Sequence, residues 1–366
     1  AANQQKRIIV VLGMHRSGTS VITRGLQVLG VSLGDRLLPA AADNPKGFWE
    51  DQDVNALNIA LLQALGHDWH TLAPILPDEL AAPVVTGFKL RAVEILRDRL
   101  SVSDCFGLKD PRMARLLPFW EDVIAHLRIS ASYVIVSRNP LSVARSLAKR
   151  NGFDLEKGYY LWLEHMLVSL ERTHNRDRIV TDYDRFLENP ARELRRIAEG
   201  LELNLNPGNP QVTDFITSFL DNSLRHNHHR VEDFALDNAL PPLVVALYQA
   251  LLQLSVQDAG CENAQLLSLI ENIRAQHQQD YPALRYMESC DHRITTFTQQ
   301  IGQLRNDLAA QQAALIGLQR QIAELNCELG TIYASGSWKI AHLLSGVLLP
   351  FKRAFASLSS SRPGSA

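Results

Sequence analysis

One stretch near the start of the chain decides the fold: Arg7-Ile8-Ile9-Val10-Val11-Leu12-Gly13-Met14-His15-Arg16-Ser17-Gly18-Thr19-Ser20. It opens with a nearly continuous apolar run, which is typical of a strand buried on both faces of a parallel sheet. The residues from Gly13 onward have the spacing G-x-x-x-x-G and lead into a helical pattern. Backbone N–H groups and a helix N-terminus can then converge on a phosphate. The stretch therefore predicts a phosphate-binding loop between a buried strand and a helix.

The loop carries its positive charge in an unusual place. A nucleotide triphosphatase has lysine directly after the second glycine, where this chain has Thr19. The cation stands inside the loop instead, at Arg16. We therefore expect a nucleotide whose 5′-phosphate and transferable group lie near Arg16, with N–H and hydroxyl donors from Ser17, Gly18, Thr19 and Ser20.

Further strands and helices alternate along the chain up to about residue 290, which indicates a parallel sheet covered by helices. The predicted strands are Arg7–Gly13, Cys105–Lys109, Tyr133–Ser137 and Arg178–Thr181. The predicted helices between them are Thr19–Leu29, Asp53–Leu65, Val84–Leu100, Arg112–Leu127, Leu141–Arg150 and Leu155–His174. After Thr181 the pattern is helical almost throughout.

A second anion site is predicted where the third strand ends. Arg138 ends this strand, Pro140 opens a helix, and Ser146 lies on the second turn of that helix. An arginine fork and a helix hydroxyl can close on one phosphate. Together with the first loop, this site predicts a nucleotide with phosphates at two separate positions.

Composition excludes several classes of protein. The chain has 366 residues, 46% of them hydrophobic and 21% charged, which is ordinary globular usage and excludes wholesale disorder, collagen and a disulfide scaffold. Its 37 basic residues against 39 acidic ones give no sign of a nucleic-acid partner. The four cysteines form no CxxC pair, and no signal peptide or membrane span is apparent. These features predict a reduced cytoplasmic protein without a zinc site of the CxxC type.

A different pattern begins near Asp291. With Ile294 at heptad position a, eleven of the twelve a and d positions up to Ile332 are apolar, and Gln311 is the exception. Such a 3.5-residue period predicts a coiled coil of roughly 60 Å that joins copies of the chain into a homo-oligomer. A long amphipathic helix packed on its own domain is the alternative.

The tail from Tyr333 onward has basic and apolar residues and no acidic one. It resembles an interfacial amphipathic segment that could bring the protein to the inner face of a membrane, or else a helix packed on a neighbouring subunit. The predicted division is therefore residues 1–290 for the nucleotide-binding domain, 291–332 for the coiled coil and 333–366 for the basic tail, with a disordered end.

The two anion motifs resemble those of sulfotransferases that use 3′-phosphoadenosine 5′-phosphosulfate. The R-S-G-T sequence at Arg16 to Thr19 is similar to the tyrosylprotein and bacterial carbohydrate branches of that family. The resemblance spans roughly residues 7–230 and includes the segments Asn44–Asp51, Leu108–Arg112 and Tyr183–Pro190. It implies an α/β, P-loop-like parallel sheet flanked by helices, with the phosphosulfate as co-substrate and no metal.

The resemblance also implies roles for individual residues. Arg16 and Lys109 would stabilise charge on the leaving phosphate, and Glu50 would be the general base, with His15 as its rival. Lys109 could instead pair with Asp110, and Glu50 could be a helix-start carboxylate. The remaining donor contacts are assigned to Arg138, Ser146, Tyr183 near the adenine, and Arg225 in a late basic region rich in histidine.

The acceptor is predicted as a hydroxyl, and a saccharide is favoured. The segment from Tyr333 to Ile340 resembles one that ends many bacterial surface-polysaccharide glycosyltransferases. Two other functions stay open: a P-loop kinase of unusual type, and a non-catalytic coiled-coil scaffold that binds a nucleotide.

Overall fold

The chain divides into two compact units, Ala1–Ser289 and Cys290–Ala366. A computed structural model describes residues 6–41, 44–203, 206, 209–220, 234, 240–257 and 263–359.

The first unit is built on a parallel sheet whose described strands stand in the order β2-β1-β3-β4. These strands are β1 (Arg7–Leu12), β2 (Cys105–Lys109), β3 (Ser130–Ser137) and β4 (Arg178–Asp182). All four predicted strands are confirmed. Strand β3 begins earlier than predicted because Ser130, Ala131 and Ser132 pair with the start of β1.

The strand order places the phosphate loop at a favourable point. The chain passes from β1 to β2 on one side, then to β3 on the other side of β1. In open α/β sheets, ligands bind in the crevice beyond the carboxyl ends of the strands where the order reverses in this way. The loop that follows β1 lies at that crevice.

Helices cover both faces of the sheet. Among the described residues they include α1 (Thr19–Val28), α2 (Gln52–Ala64), α3 (Pro77–Leu80), α4 (Pro83–Ser101), α5 (Leu117–Leu127), α6 (Pro140–Asn151), α7 (Leu155–Arg172), α8 (Tyr183–Glu188), α9 (Pro190–Gly200), α10 (Pro210–Asp214), α11 (Pro242–Leu254) and α12 (Ala264–Gln279). The predicted α/β fold class, a P-loop-like parallel sheet flanked by helices, is confirmed.

One predicted helix begins too early. The segment Arg112–Leu127 contains a short 3₁₀ turn at Pro111–Ala114 and then α5, which begins at Leu117. Pro118 explains the break, because proline has no N–H to donate and is tolerated only in the first turn of a helix.

Each face of the sheet has its own hydrophobic core, as the continuous apolar strands predict. Ile8, Val10 and Leu12 pack into one core, and the alternating residues Ile9 and Val11 pack into the other. Burial on both faces fixes the end of β1 and so the position of the loop after it.

Two further helices follow, α13 (Tyr281–Ala334) and α14 (Gly336–Ser359). Beyond Ser289 the apolar side chains of α13 are exposed, and so are those described in α14, from Ile340 to Phe351. No helix among the described residues is both long enough and apolar enough to cross a membrane. Contact of α14 with a lipid surface stays a prediction, and the predicted disordered end lies largely outside the described residues.

Candidate active site

The loop after β1 has the backbone of an anion cradle. Arg16 and Gly18 both adopt left-handed conformations, with φ of 69° and 85°. The N–H of Ser17 donates to the carbonyl of Met14 at 3.1 Å, which tightens the turn. Helix α1 begins at Thr19, and the first turn of a helix leaves N–H groups without partners inside the helix. Those donors and the positive end of the helix dipole face the space beyond β1.

Gly18 is required by a close approach as well as by its φ. A Cβ atom there would lie 2.0 Å from Cδ2 of Tyr183, the first residue of α8. Tyr183 is 3% exposed and lies under the Arg138 guanidinium, whose Cζ is 4.7 Å from the ring centroid. The loop glycine, the tyrosine ring and the arginine therefore form one stack.

Gly18→Ala should destabilise the fold by about 1–2 kcal/mol from the left-handed backbone plus about 1–3 kcal/mol from overlap with Tyr183. Gly30→Ala is the matched control, since Gly30 has φ 90° and no atom of the described residues lies within 4 Å of the position a Cβ would take. The control should lose only the backbone part. Urea denaturation gives the free energy of unfolding of both variants. Equal losses of stability would show that the Tyr183 ring moves aside with no free-energy penalty.

The two predicted anion motifs meet in the structure. Arg16 Nε donates to Ser146 Oγ on α6 at 2.9 Å. Arg138, at the end of β3, donates from a guanidinium nitrogen to the carbonyl of Arg16 at 2.9 Å. The sequence pairs Ser146 with Arg138, whereas here its hydroxyl contacts the loop arginine. Two strands and one helix thus bring two guanidinium groups and a hydroxyl to one place.

Glu50 is positioned by its neighbour. Asp51 caps α2 by accepting from the N–H groups of Asp53 and Val54, and the buried Arg99 donates to Asp51 at 2.7 Å. The helix-start function considered for Glu50 therefore belongs to Asp51. Glu50 is left free to turn toward the end of β2.

Glu50 and Lys109 form a buried ion pair, with Oε1 2.6 Å from Nζ. They are 5% and 3% exposed. Lys109 also donates to the carbonyl of Phe48 at 2.9 Å and lies 3.3 Å from Ser20 Oγ in α1. The pairing of Lys109 with Asp110 considered from sequence is not what the structure shows, since its carboxylate partner is Glu50. Burial raises the pKa of Glu50, and the charge of Lys109 opposes the rise.

The polar network behind the Glu50–Lys109 ion pair was not predicted from the sequence. Asp110 is fully buried and accepts from the N–H of Arg112 at 2.8 Å. Asn55 donates both to Glu50 at 2.9 Å and to Asp110 at 3.3 Å, and Asn58 donates to Asp110 at 3.2 Å. A signal was present: two asparagines three residues apart on the apolar face of α2 require buried partners.

His15 lies against an aromatic cluster. Its ring centroid is 4.4 Å from that of Trp69, which in turn lies 5.7 Å from Phe153 and beneath the guanidinium of Arg150 at 5.1 Å. His15 Nε2 is a buried atom without a hydrogen-bond partner among the described residues. Burial, reinforced by the charges of Arg112 and Arg150, lowers the pKa of His15 well below its usual value. His15 is therefore a neutral imidazole at the edge of the phosphate loop.

The structure thus brings together nearly all the predicted site residues. They are His15, Arg16, Ser17, Gly18, Thr19, Ser20, Glu50, Lys109, Arg138, Ser146 and Tyr183. Arg225 and the histidines near it lie outside the described residues. Within the described ranges, no group of three or more His, Cys, Asp or Glu side chains is placed to hold a metal ion.

Comparison with known proteins gives little beyond this geometry. No protein-family model and no curated protein matches the chain. Among solved structures, the sulfotransferase domain of an olefin synthase from Synechococcus PCC 7002 has a TM-score of 0.38 and 14% identity, over 75% of this chain and 97% of that domain. The sulfotransferase domain of the curacin biosynthetic pathway has a TM-score of 0.36 and 14% identity, over 75% of this chain and 99% of that domain. Since both TM-scores are below 0.5, the site residues themselves must carry any functional conclusion.

Proposed function

We propose that this protein is a sulfotransferase, which moves a sulfuryl group from 3′-phosphoadenosine 5′-phosphosulfate to a hydroxyl. The observation that carries the proposal is the meeting of Arg16, Arg138 and Ser146 beside a loop with Thr19 in place of the triphosphatase lysine. Two guanidinium groups that follow separate strands suit a nucleotide with two separate phosphates. A triphosphatase loop would instead concentrate its charge on one phosphate chain.

In this proposal the loop and Lys109 hold the leaving group. The acceptor oxygen attacks sulfur in line, the bond from sulfur to the 5′-phosphate oxygen breaks, and negative charge grows on that oxygen. Donors already in place around such an oxygen stabilise the transition state more than the ground state. Arg16 and the first N–H groups of α1 face it from the loop. Lys109 reaches it from the end of β2, beside Ser20.

Glu50 is the proposed general base. It takes the hydroxyl proton as the acceptor oxygen attacks, and burial raises the pKa of Glu50 toward the range in which a carboxylate is an effective base. Its contact with Lys109 keeps the base within the proposed site. His15, neutral and with no hydrogen-bond partner for Nε2 among the described residues, is the second candidate.

The proposed acceptor is a saccharide. Support comes from the half-buried cluster of Trp69, His70 and Phe153 beside His15, because aromatic rings offer apolar faces on which sugar rings can stack. The segment from Tyr333 to Ile340 adds an analogy with surface-polysaccharide enzymes and no geometric argument.

The test is calorimetric titration with 3′,5′-bisphosphoadenosine and, separately, with ATP and Mg²⁺. We expect metal-independent binding of the bisphosphate, weakened about 10- to 100-fold in Arg138→Ala, because a hydrogen bond to a charged group contributes about 1.5–3 kcal/mol. Lys149→Ala removes an exposed cation from the same helix as Ser146 and is the matched control, with near-normal affinity.

The same titration separates the alternatives. Preference for ATP with Mg²⁺ would replace this proposal by the P-loop kinase. Binding of the bisphosphate, with no transfer from the phosphosulfate donor to any hydroxyl in a separate turnover assay, would favour the nucleotide-binding scaffold.

A further inference from the structure

Helix α13 carries an uncovered apolar stripe beyond Ser289. At the a and d positions from Ile294 onward, every apolar side chain is 45–66% exposed. These side chains are Ile294, Phe297, Ile301, Leu304, Leu308, Leu315, Leu318, Ile322, Leu325, Leu329 and Ile332. Apolar residues on an ordinary protein surface are scattered singly, whereas these form one long, regular and contiguous exposed stripe.

We propose that this stripe binds the same stripe of a second copy of the chain, in a parallel, in-register, two-stranded coiled coil. The helix is continuous from Tyr281 to Ala334, so no break interrupts the stripe. A 3.5-residue period keeps it facing one partner along its whole length. The inference concerns assembly and does not depend on the proposed chemistry.

The choice of side chains favours two strands over three or four. β-Branched residues at a with leucine at d suit a dimer, whereas leucine at a with isoleucine at d shifts the preference to larger assemblies. The pairs Ile301 with Leu304 and Ile322 with Leu325 follow the dimer pattern. The larger-assembly pattern occurs once, at Leu329 with Ile332.

Gln311 favours the parallel, in-register arrangement. In that arrangement each d residue faces the same residue of the partner, so the two Gln311 amides can bond to each other within the seam. An antiparallel partner centred on the same rod would set Gln311 against Leu315 and leave its amide without a polar partner. A single polar residue in an apolar seam fixes register and orientation in this way.

The flanking charges are compatible with this register. In a parallel pair, position g faces position e of the next heptad in the partner. That rule sets Gln300 against Arg305 and Asp307 against Gln312. No like charges oppose each other along the described rod, so nothing in the flanks repels a second copy.

Cys290 supplies the test, since it lies at a d position one heptad before Phe297. Two facing d residues lie within the range of Cα separations that a disulfide can bridge, whereas Cys327 lies at the outer f position and cannot reach its own copy. Both test proteins are the full chain with Cys105 and Cys261 replaced by serine. The first also carries Cys327→Ser and so retains only Cys290. The matched control carries Cys290→Ser instead and retains only Cys327.

We expect light scattering to give the mass of two chains for both proteins. Mild oxidation should link the protein that keeps Cys290 nearly completely and leave the control unlinked. A one-chain, three-chain or four-chain mass would overturn the proposal. A two-chain mass without Cys290 linkage would overturn the parallel register. Adding Gln311→Leu should keep the helix associated but lower the linked fraction, as alternative registers become accessible.

Discussion

Arg16→Ala is expected to lower turnover by a factor on the order of 10² to 10³, which is the effect of removing one preorganised donor from a developing oxyanion. Binding of 3′,5′-bisphosphoadenosine should fall much less, because Arg138 and the backbone donors remain. The measurement is formation of the bisphosphate from the phosphosulfate donor, with mixed oligosaccharides as the acceptor, beside calorimetric affinities.

Arg16→Lys is the matched variant. It keeps the charge but cannot reproduce the planar guanidinium that reaches Ser146, so intermediate turnover is expected. The opposite pattern, a large loss of affinity with unchanged turnover, would assign Arg16 to uniform substrate binding and remove it from the transition state.

Glu50→Gln is expected to destabilise the first unit by about 3–5 kcal/mol, because it leaves the ammonium of Lys109 buried without its carboxylate. Lys109→Met should cost a similar amount by stranding Glu50. The double variant should recover most of the stability, because both charges are then gone, yet it should remain inactive. Urea denaturation measures the stability of each variant, and the turnover assay measures its activity.

The double variant separates stability from chemistry. Loss of activity in a protein of near-normal stability would support a direct chemical role for the pair. If the double variant transferred sulfate normally, the pair would be structural and His15 would become the proposed base. In the wild type, turnover should rise with pH as Glu50 ionises, and the raised pKa of Glu50 moves this rise above the usual range for a carboxylate.

Local patterns were sufficient for the sheet and the loop. Strand β2 was predicted with the bounds that the structure gives it, since a buried parallel strand reads as an uninterrupted apolar run. Pro118 likewise marks the start of α5, because a residue without an N–H is tolerated only in the first turn of a helix.

Contacts between distant residues were not predictable in the same way. The sequence shows that Glu50 and Asp51 stand at a helix start, but not which of them caps it. That choice depends on Arg99, which lies nearly fifty positions later and holds Asp51 in place. The partner of Lys109 follows from the same choice, because Asp51 is then occupied and Glu50 is not. Only the packing of α2 against α4, and of α4 against β2, decides between the two carboxylates.

The contact of Gly18 with Tyr183 also limits how this protein can evolve. A larger residue at position 18 is accessible only after the ring at position 183 has become smaller, and a smaller residue there removes the surface on which Arg138 rests. Whichever of the two substitutions comes first therefore gives a protein with a poorer fold or a poorer arginine position. In an alignment of descendants, positions 18 and 183 should therefore change together or not at all, although 164 residues separate them in the chain.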